Sequence, residues 1–152
     1  MKKILFFLFF AFFMSSCSTS SKNKMIQYVE VAGVPKNPSP YSLAVWAGDN
    51  CYLAGQLGTD PMTGQMPEGG FTNETHGVMK NIERVLQSAG LDFSNVVKTT
   101  VYLTDIKDFQ AMNEVYKSYF KNGQYPARET VQVAGLARGA RVEISMVAYK
   151  AR

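Results

Sequence analysis

The segment Tyr125 to Lys150, YPARETVQVAGLARGARVEISMVAYK, most constrains the fold, because two of its short apolar stretches alternate at period two and each carries a charged residue. Arg128, Thr130 and Gln132 share one face of the first stretch; Arg141, Glu143 and Ser145 share one face of the second. That period belongs to β-strands, so this end of the chain is expected to enter a sheet. The link Gly135 to Gly139 is short enough for a hairpin. A turn centred between Leu136 and Ala137 would set Glu143 opposite Thr130, with Arg128 one diagonal step away. A cation, a hydroxyl and a carboxylate would then converge.

The rest of the chain supplies the other layer. Met25 to Val31 reads as a first strand, and a proline-bearing loop from Pro35 to Pro40 leads through Tyr41 to a second around Leu43 to Ala47. Gly48, Asp49 and Asn50 turn into a third strand, Cys51 to Gln56, after which TDPMTGQMPEGG reads as a surface loop. From Phe71 to Ala89 the apolar residues Val78, Ile82, Val85, Leu86 and Ala89 follow helical spacing, with Thr72 as N-cap and Gly90 as stop. Val96 to Leu103 alternates as a central strand, Val97, Thr99, Val101 and Leu103 on one face. A second helix after Asp108 buries Phe109, Met112, Val115, Tyr116 and Tyr119. The order β-β-β-α-β-α-β-β predicts a two-layer α+β domain, two helices on one face of a mainly antiparallel sheet, whose other face needs a cover.

The first residues are different in kind. Lys2 and Lys3 precede an apolar run from Ile4 to Met14, too short to span a bilayer comfortably, and Ser15 and Ser16 then precede Cys17. Six phenylalanines in that run leave no polar face that could lie on a soluble surface. Small residues directly before a cysteine resemble a bacterial lipobox, with Met14 where leucine is usual. Residues 1–16 are thus expected to be a signal peptide, 17–24 a lipidated Cys17 with a polar tether, and 25–152 the folded domain. The serine after Cys17 resembles the pattern of lipoproteins sent on to an outer membrane in diderm hosts, which predicts an exported, periplasm-facing protein. Loss of the leader removes two lysines and no acids, taking the formal net charge from +4 to +2 and leaving no basic run of the sort nucleic-acid binding needs. Cys51 reads as a small buried hydrophobe. His76 is the sole histidine, and without clustered ligands, a phosphate-cradling glycine loop or a nucleophile elbow, neither metal nor cofactor is expected.

The closing segment resembles the C-terminal signature of the Rid family, the YjgF-like imine deaminases, PAR-x-x-V-x-V-A-x-L-x-x-G-A-x-V-E-I. Pro126, Ala127, Arg128, Val131, Val133, Ala134, Leu136, Gly139, Ala140, Val142, Glu143 and Ile144 carry the match. SPYS at Ser39 to Ser42, AGQLGTDPMTGQ at Ala54 to Gln65 and VVKTTVYLTDIKDFQAMNEVY at Val96 to Tyr116 agree in order, so the resemblance covers nearly everything after Met25. It implies a chorismate-mutase-like fold in a homotrimer, with ligand clefts between subunits. It also implies roles. Arg128 would hold a substrate carboxylate, Glu143 and the backbone carbonyl of Thr130 would aim a water, and Tyr41, Gly55 and Asn113 would line the cleft. Thr130 stands where many such deaminases have cysteine, so any part played by a thiol is lost.

Each residue also has a plainer reading. Arg128 and Glu143 could form a cross-strand ion pair, Tyr41 could be a core tyrosine, Gly55 could end a strand, and Asn113 could be satisfied by backbone. The function the resemblance implies is hydrolysis of small 2-imino acids to 2-keto acids and ammonia. Such imines arise from pyridoxal-phosphate enzymes in the cytoplasm, whereas the leader points outside it, so the expectation covers a substrate class and not one imine. A trimeric protein that captures small carboxylates without turnover is the alternative, and an endoribonuclease a lesser one.

Overall fold

The computed structural model describes residues 26–35 and 38–151; the expected leader, Cys17 and its tether lie outside them. The chain runs β1 (Gln27–Tyr28), β2 (Ala44–Ala47), β3 (Asn50–Leu53), α1 (Phe71–Ser88), β4 (Val96–Leu103), α2 (Phe109–Lys117), β5 (Ala127–Gln132) and β6 (Val142–Tyr149). Element types and order are those the periodicity predicts, although β1 has only two residues. Among the described residues, no helix is long and apolar enough to cross a membrane.

Both helices cover one face of a six-stranded sheet. Val78, Met79, Ile82, Val85 and Leu86 of α1 and Met112, Val115 and Tyr116 of α2 bury themselves against alternate residues of the strands: Trp46, Cys51, Leu53, Val101, Leu103, Ile144 and Met146. Cys51 is fully buried, as a small hydrophobe would be. The opposite face is open in a single chain, with Tyr52, Val131 and Tyr149 each 44 to 48% exposed.

The strand order, β1-β2-β3-β6-β4-β5, overturns the expected hairpin. β5 and β6 are not neighbours, because β4 lies between them, parallel to β5 and antiparallel to β6. The reason is burial. β6 hides Val142, Ile144, Met146 and Ala148 almost completely and needs neighbours on both sides, whereas β5, ARETVQ, buries no residue fully and suits the edge. The Leu103 carbonyl accepts the Val133 N–H at 2.8 Å, and Gln132 Oε1 accepts the Ile106 N–H at 3.0 Å, so the end of β5 is tied to β4 and its exit loop. β4, α2 and β5 form a βαβ unit, the helix carrying the chain back for parallel pairing.

Two local expectations also change. α1 starts after Gly70, not at a Thr72 cap: Gly69 and Gly70 take φ of 91° and 81°, values open to glycine, and turn the chain into the helix before Thr72 is reached. The strict alternation of β4 breaks at a register shift between Val96 and Lys98, which leaves Val96 buried and Val97 48% exposed. The helix stop at Gly90, with φ of 72°, is where the sequence puts it.

Candidate active site

Arg128 leaves β5 on the helix side of the sheet, opposite Thr99 of β4. A stripe of α2 residues at helical spacing receives its guanidinium. Nη2 donates to Asn113 Oδ1 at 2.6 Å, Nη1 approaches Met112 Sδ at 3.9 Å, and the group lies 4.7 Å from the Tyr116 ring centroid and 5.7 Å from that of Phe109. Tyr116 is itself fixed, its hydroxyl donating to the buried Thr99 Oγ1 at 3.0 Å. No carboxylate of the described residues forms an ion pair with Arg128. A cleft of about 390 Å³ lined by Asn113, Tyr116, Lys117, Tyr125, Pro126 and Arg128 opens beside it. A fork-shaped cation held by aromatic faces and one amide oxygen, open to a cleft, suits a carboxylate ligand. Asn113 is therefore engaged by Arg128, not satisfied by backbone.

Thr130 follows on the same face, opposite Val101, and its Oγ1 is buried without a hydrogen-bond partner. An unpartnered buried hydroxyl of this kind carries an uncompensated desolvation cost.

Glu143 is elsewhere. It sits opposite Tyr102 of β4 and points to the open face, since its neighbours Val142 and Ile144 point into the core. The expected convergence of Arg128, Thr130 and Glu143 within one chain does not occur: two strand spacings and the sheet itself separate them, because β4 has displaced the hairpin. The cross-strand ion pair fails for the same reason. Glu143 is instead paired with Gly55. Gln56 and Ile144 exchange backbone hydrogen bonds of 2.9 and 3.2 Å, and a methyl on Gly55 would overlap the Glu143 carboxylate. Gly55 is thus a glycine because a carboxylate lies over its backbone. Burial pushes the Glu143 carboxyl above its ordinary value of 4.5, and no hydrogen bond from the described residues offsets that rise.

Tyr41 is 55% exposed, which excludes the core-tyrosine reading. With Gly55 it lines a cavity of about 240 Å³ bounded also by Leu43, Leu57, Asn81 and Arg84. The predicted residues therefore form two groups, Arg128 with Asn113 and Thr130 on the helix side of β5, and Glu143 with Gly55, whose neighbour Tyr41 shares with it a cavity that α1 also borders. Sequence reading missed Tyr116 as the platform for Arg128; the signal was available in the 109, 112, 113, 116 stripe once β5 is known to lie beside β4. His76 Nδ1 pairs with the Tyr119 hydroxyl at 3.0 Å. No group of metal-ligating side chains occurs among the described residues.

A family model described as Endoribonuclease L-PSP matches residues 31–150. The chain belongs to this family, the Rid family of the sequence reading. Its relatives include the human 2-iminobutanoate/2-iminopropanoate deaminase, 48% identical over 122 residues that cover 80% of this chain and 88% of the human one. Among solved structures, RidA from an Antarctic Psychrobacter is 40% identical with a TM-score of 0.75, covering 82% of this chain and 99% of that one. Escherichia coli TdcF, solved with bound serine, is 31% identical with a TM-score of 0.76, covering 82% and 99%. These Rid structures share the arrangement of two helices on a mostly antiparallel six-stranded sheet.

Proposed function

We propose that this protein hydrolyses small 2-imino acids to 2-keto acids and ammonia, at sites completed between the subunits of a homotrimer. The observation that carries the reading is the position of Arg128: a guanidinium oriented by Asn113 and Tyr116, facing a cleft with no carboxylate of its own. The curated relatives' activity on 2-iminobutanoate and 2-iminopropanoate supports it, since both bear a carboxylate beside the imine carbon. Arg128 and Glu143 lie on opposite faces of one sheet, so a site using both takes Arg128 and Asn113 from one copy and Glu143, Gly55 and Tyr41 from the next. The uncovered sheet face with Tyr52, Val131 and Tyr149 offers the contact surface.

Arg128 holds the carboxylate and sets the imine carbon toward a water. Glu143, its carboxyl raised by burial, takes a proton from that water as the oxygen adds to the C=N carbon, the electron pair moving to nitrogen. The carbonyl of Thr130 orients the same water. Glu143 returns that proton to the amine, the C–N bond breaks as ammonia leaves, and the hydroxyl gives its own proton to the Glu143 carboxylate as the carbonyl of the keto acid forms. The chemistry needs no covalent intermediate and none of the groups above is a nucleophile.

The test is ammonia and keto-acid release from imines generated in situ from several amino acids, with Arg128→Lys and Arg128→Ala alongside. Lysine keeps the charge and loses the fork, so turnover falls, and alanine loses more, on the order of 2 to 5 kcal/mol. Wild-type turnover in a correctly folded Arg128→Ala would overturn the mechanism. Binding of keto acids through Arg128 with no turnover of any imine would make the protein a carboxylate-binding trimer instead.

We also infer that residues 1–16 direct export and that Cys17 carries a lipid holding residues 25–152 at a periplasm-facing membrane, the outer one in a diderm host. The charged start, apolar run and small residues before Cys17 support this reading. Cys17→Ala should then move the protein from the membrane to the soluble fraction; unchanged fractionation with no lipid on the mature N-terminus would remove it.

A further inference from the structure

Glu74, in the first turn of α1, is a buried carboxylate that the proposed chemistry does not use; it is only 7% exposed. Carboxylates are rarely so buried unless donors meet them. Here Oε1 accepts the backbone N–H of Arg141 at 2.7 Å and lies 3.4 Å from that of Val142. These are the two residues before Glu143. The Arg141 side chain is held at the same point, its guanidinium 5.0 Å from the ring centroid of Phe71, one helical turn before Glu74, and its Nη2 within 2.8 and 2.7 Å of the two Asp108 oxygens. The Arg141 carbonyl accepts the Thr104 N–H at 3.0 Å. Backbone and side chain of this one residue are thus clasped by α1, by the residue that precedes α2, and by the end of β4.

Glu143 itself has no hydrogen bond from the described residues to hold its carboxylate. Its place depends on the strand that carries it, fixed on one side by the Gln56 exchange with Ile144 and on the other by the clasp at Arg141 and Val142. We propose that Glu74 is a positioning residue for Glu143: by gripping the start of β6 it sets the carboxylate over Gly55, where the water must be met. The inference rests on the reading of Glu143 given above. Through Asp108 the clasp also adjoins α2, which carries Asn113, so one cluster borders both halves of the site.

Three variants test it. Glu74→Gln keeps a carbonyl oxygen able to accept both N–H groups and should stay within about threefold of wild type. Glu74→Ala removes the acceptor, and Glu74→Asp, a milder change that keeps charge, withdraws it by one methylene. Both should lower kcat roughly ten- to a hundredfold while KM, which reports the Arg128 grip, stays within about threefold. A purely structural Glu74 would lower thermal stability and leave kcat of the folded protein intact, so that outcome in the aspartate variant overturns the proposal even if the alanine variant does not fold. Carbon-13 NMR titration of the Glu143 carboxyl, assigned with Glu143→Gln, reads the pose without turnover. It should move toward the ordinary carboxylate range in Glu74→Asp and hold its wild-type value in Glu74→Gln. If wild type hydrolyses no imine, the deaminase reading fails and this titration still decides the clasp; an unmoved titration in Glu74→Asp refutes it.

Discussion

A methyl group on Gly55 would occupy the space of the Glu143 carboxylate, and the yielding partner is the far end of a flexible side chain. Gly55→Ala is therefore expected to fold with little loss of Tm while kcat drops about tenfold or more, because the carboxylate must swing off its place. Thermal unfolding and steady-state kinetics on the same sample check it; full activity would separate Glu143 from the chemistry. The raised Glu143 carboxyl makes a second, signed expectation. The folded state binds this proton more tightly than the unfolded one does, so stability is undiminished below the unfolded value and declines as pH rises through the folded value. Glu143→Gln should raise Tm at neutral pH and leave it unchanged at pH below the ordinary glutamate range. An equal Tm difference at both would mean that burial does not load the carboxyl. Neither glycine nor glutamate shows this contact alone in the sequence, since Gly55 follows β3, Glu143 lies in β6, and the two meet through the Gln56 bridge to Ile144.

At the scale of elements, the βαβ unit carries the arginine half of the site. Thr99 of β4 is fully buried and its Oγ1 has the Tyr116 hydroxyl of α2 at 3.0 Å. Tyr116→Phe strands that hydroxyl and should cost about 1 to 3 kcal/mol, whereas Tyr116→Phe with Thr99→Val should cost less than the two single changes summed. Denaturant unfolding measures the cycle, and additive losses would deny the coupling. The ring under Arg128 survives in Tyr116→Phe, so turnover should fall less than in Asn113→Ala, which removes a hydrogen-bonded partner of the guanidinium. Both helices and all six strands were legible as elements, because each announces itself by local period. The neighbour of β5 was not: a short Gly-containing link fits a hairpin as well as it fits a strand hop, and the choice fell to burial along β6.

At the scale of the whole molecule, the separation of Arg128 from Glu143 by the sheet leads to a test that activity alone cannot give. Arg128→Ala and Glu143→Gln should each be nearly inactive as pure proteins. Refolded together from an equal mixture, random trimers would place an intact Arg128 beside a neighbour's intact Glu143 in about a quarter of their sites, and about that share of wild-type turnover should return. Light scattering should give three copies per particle. No recovery on mixing, or a stable active monomer, would put the whole site in one chain.

The kind and order of the elements, the helix-side residues of most strands and the motif residues of the Rid signature could all be read from the chain, since period and motif are local properties. Alternation says which residues share a face of their own strand, and in β5 it grouped Arg128 with Thr130 and Gln132 correctly. It does not say which strand lies alongside. That depended on β4 and β6 both needing two neighbours to bury their apolar faces, while the more polar β5 could tolerate an edge. From that competition came the parallel pairing that sets Arg128 against α2, the turning of Glu143 to the other face over Gly55, and the clasp of Glu74 on the start of β6. These are long-range contacts, selected by packing, that no window of sequence contains.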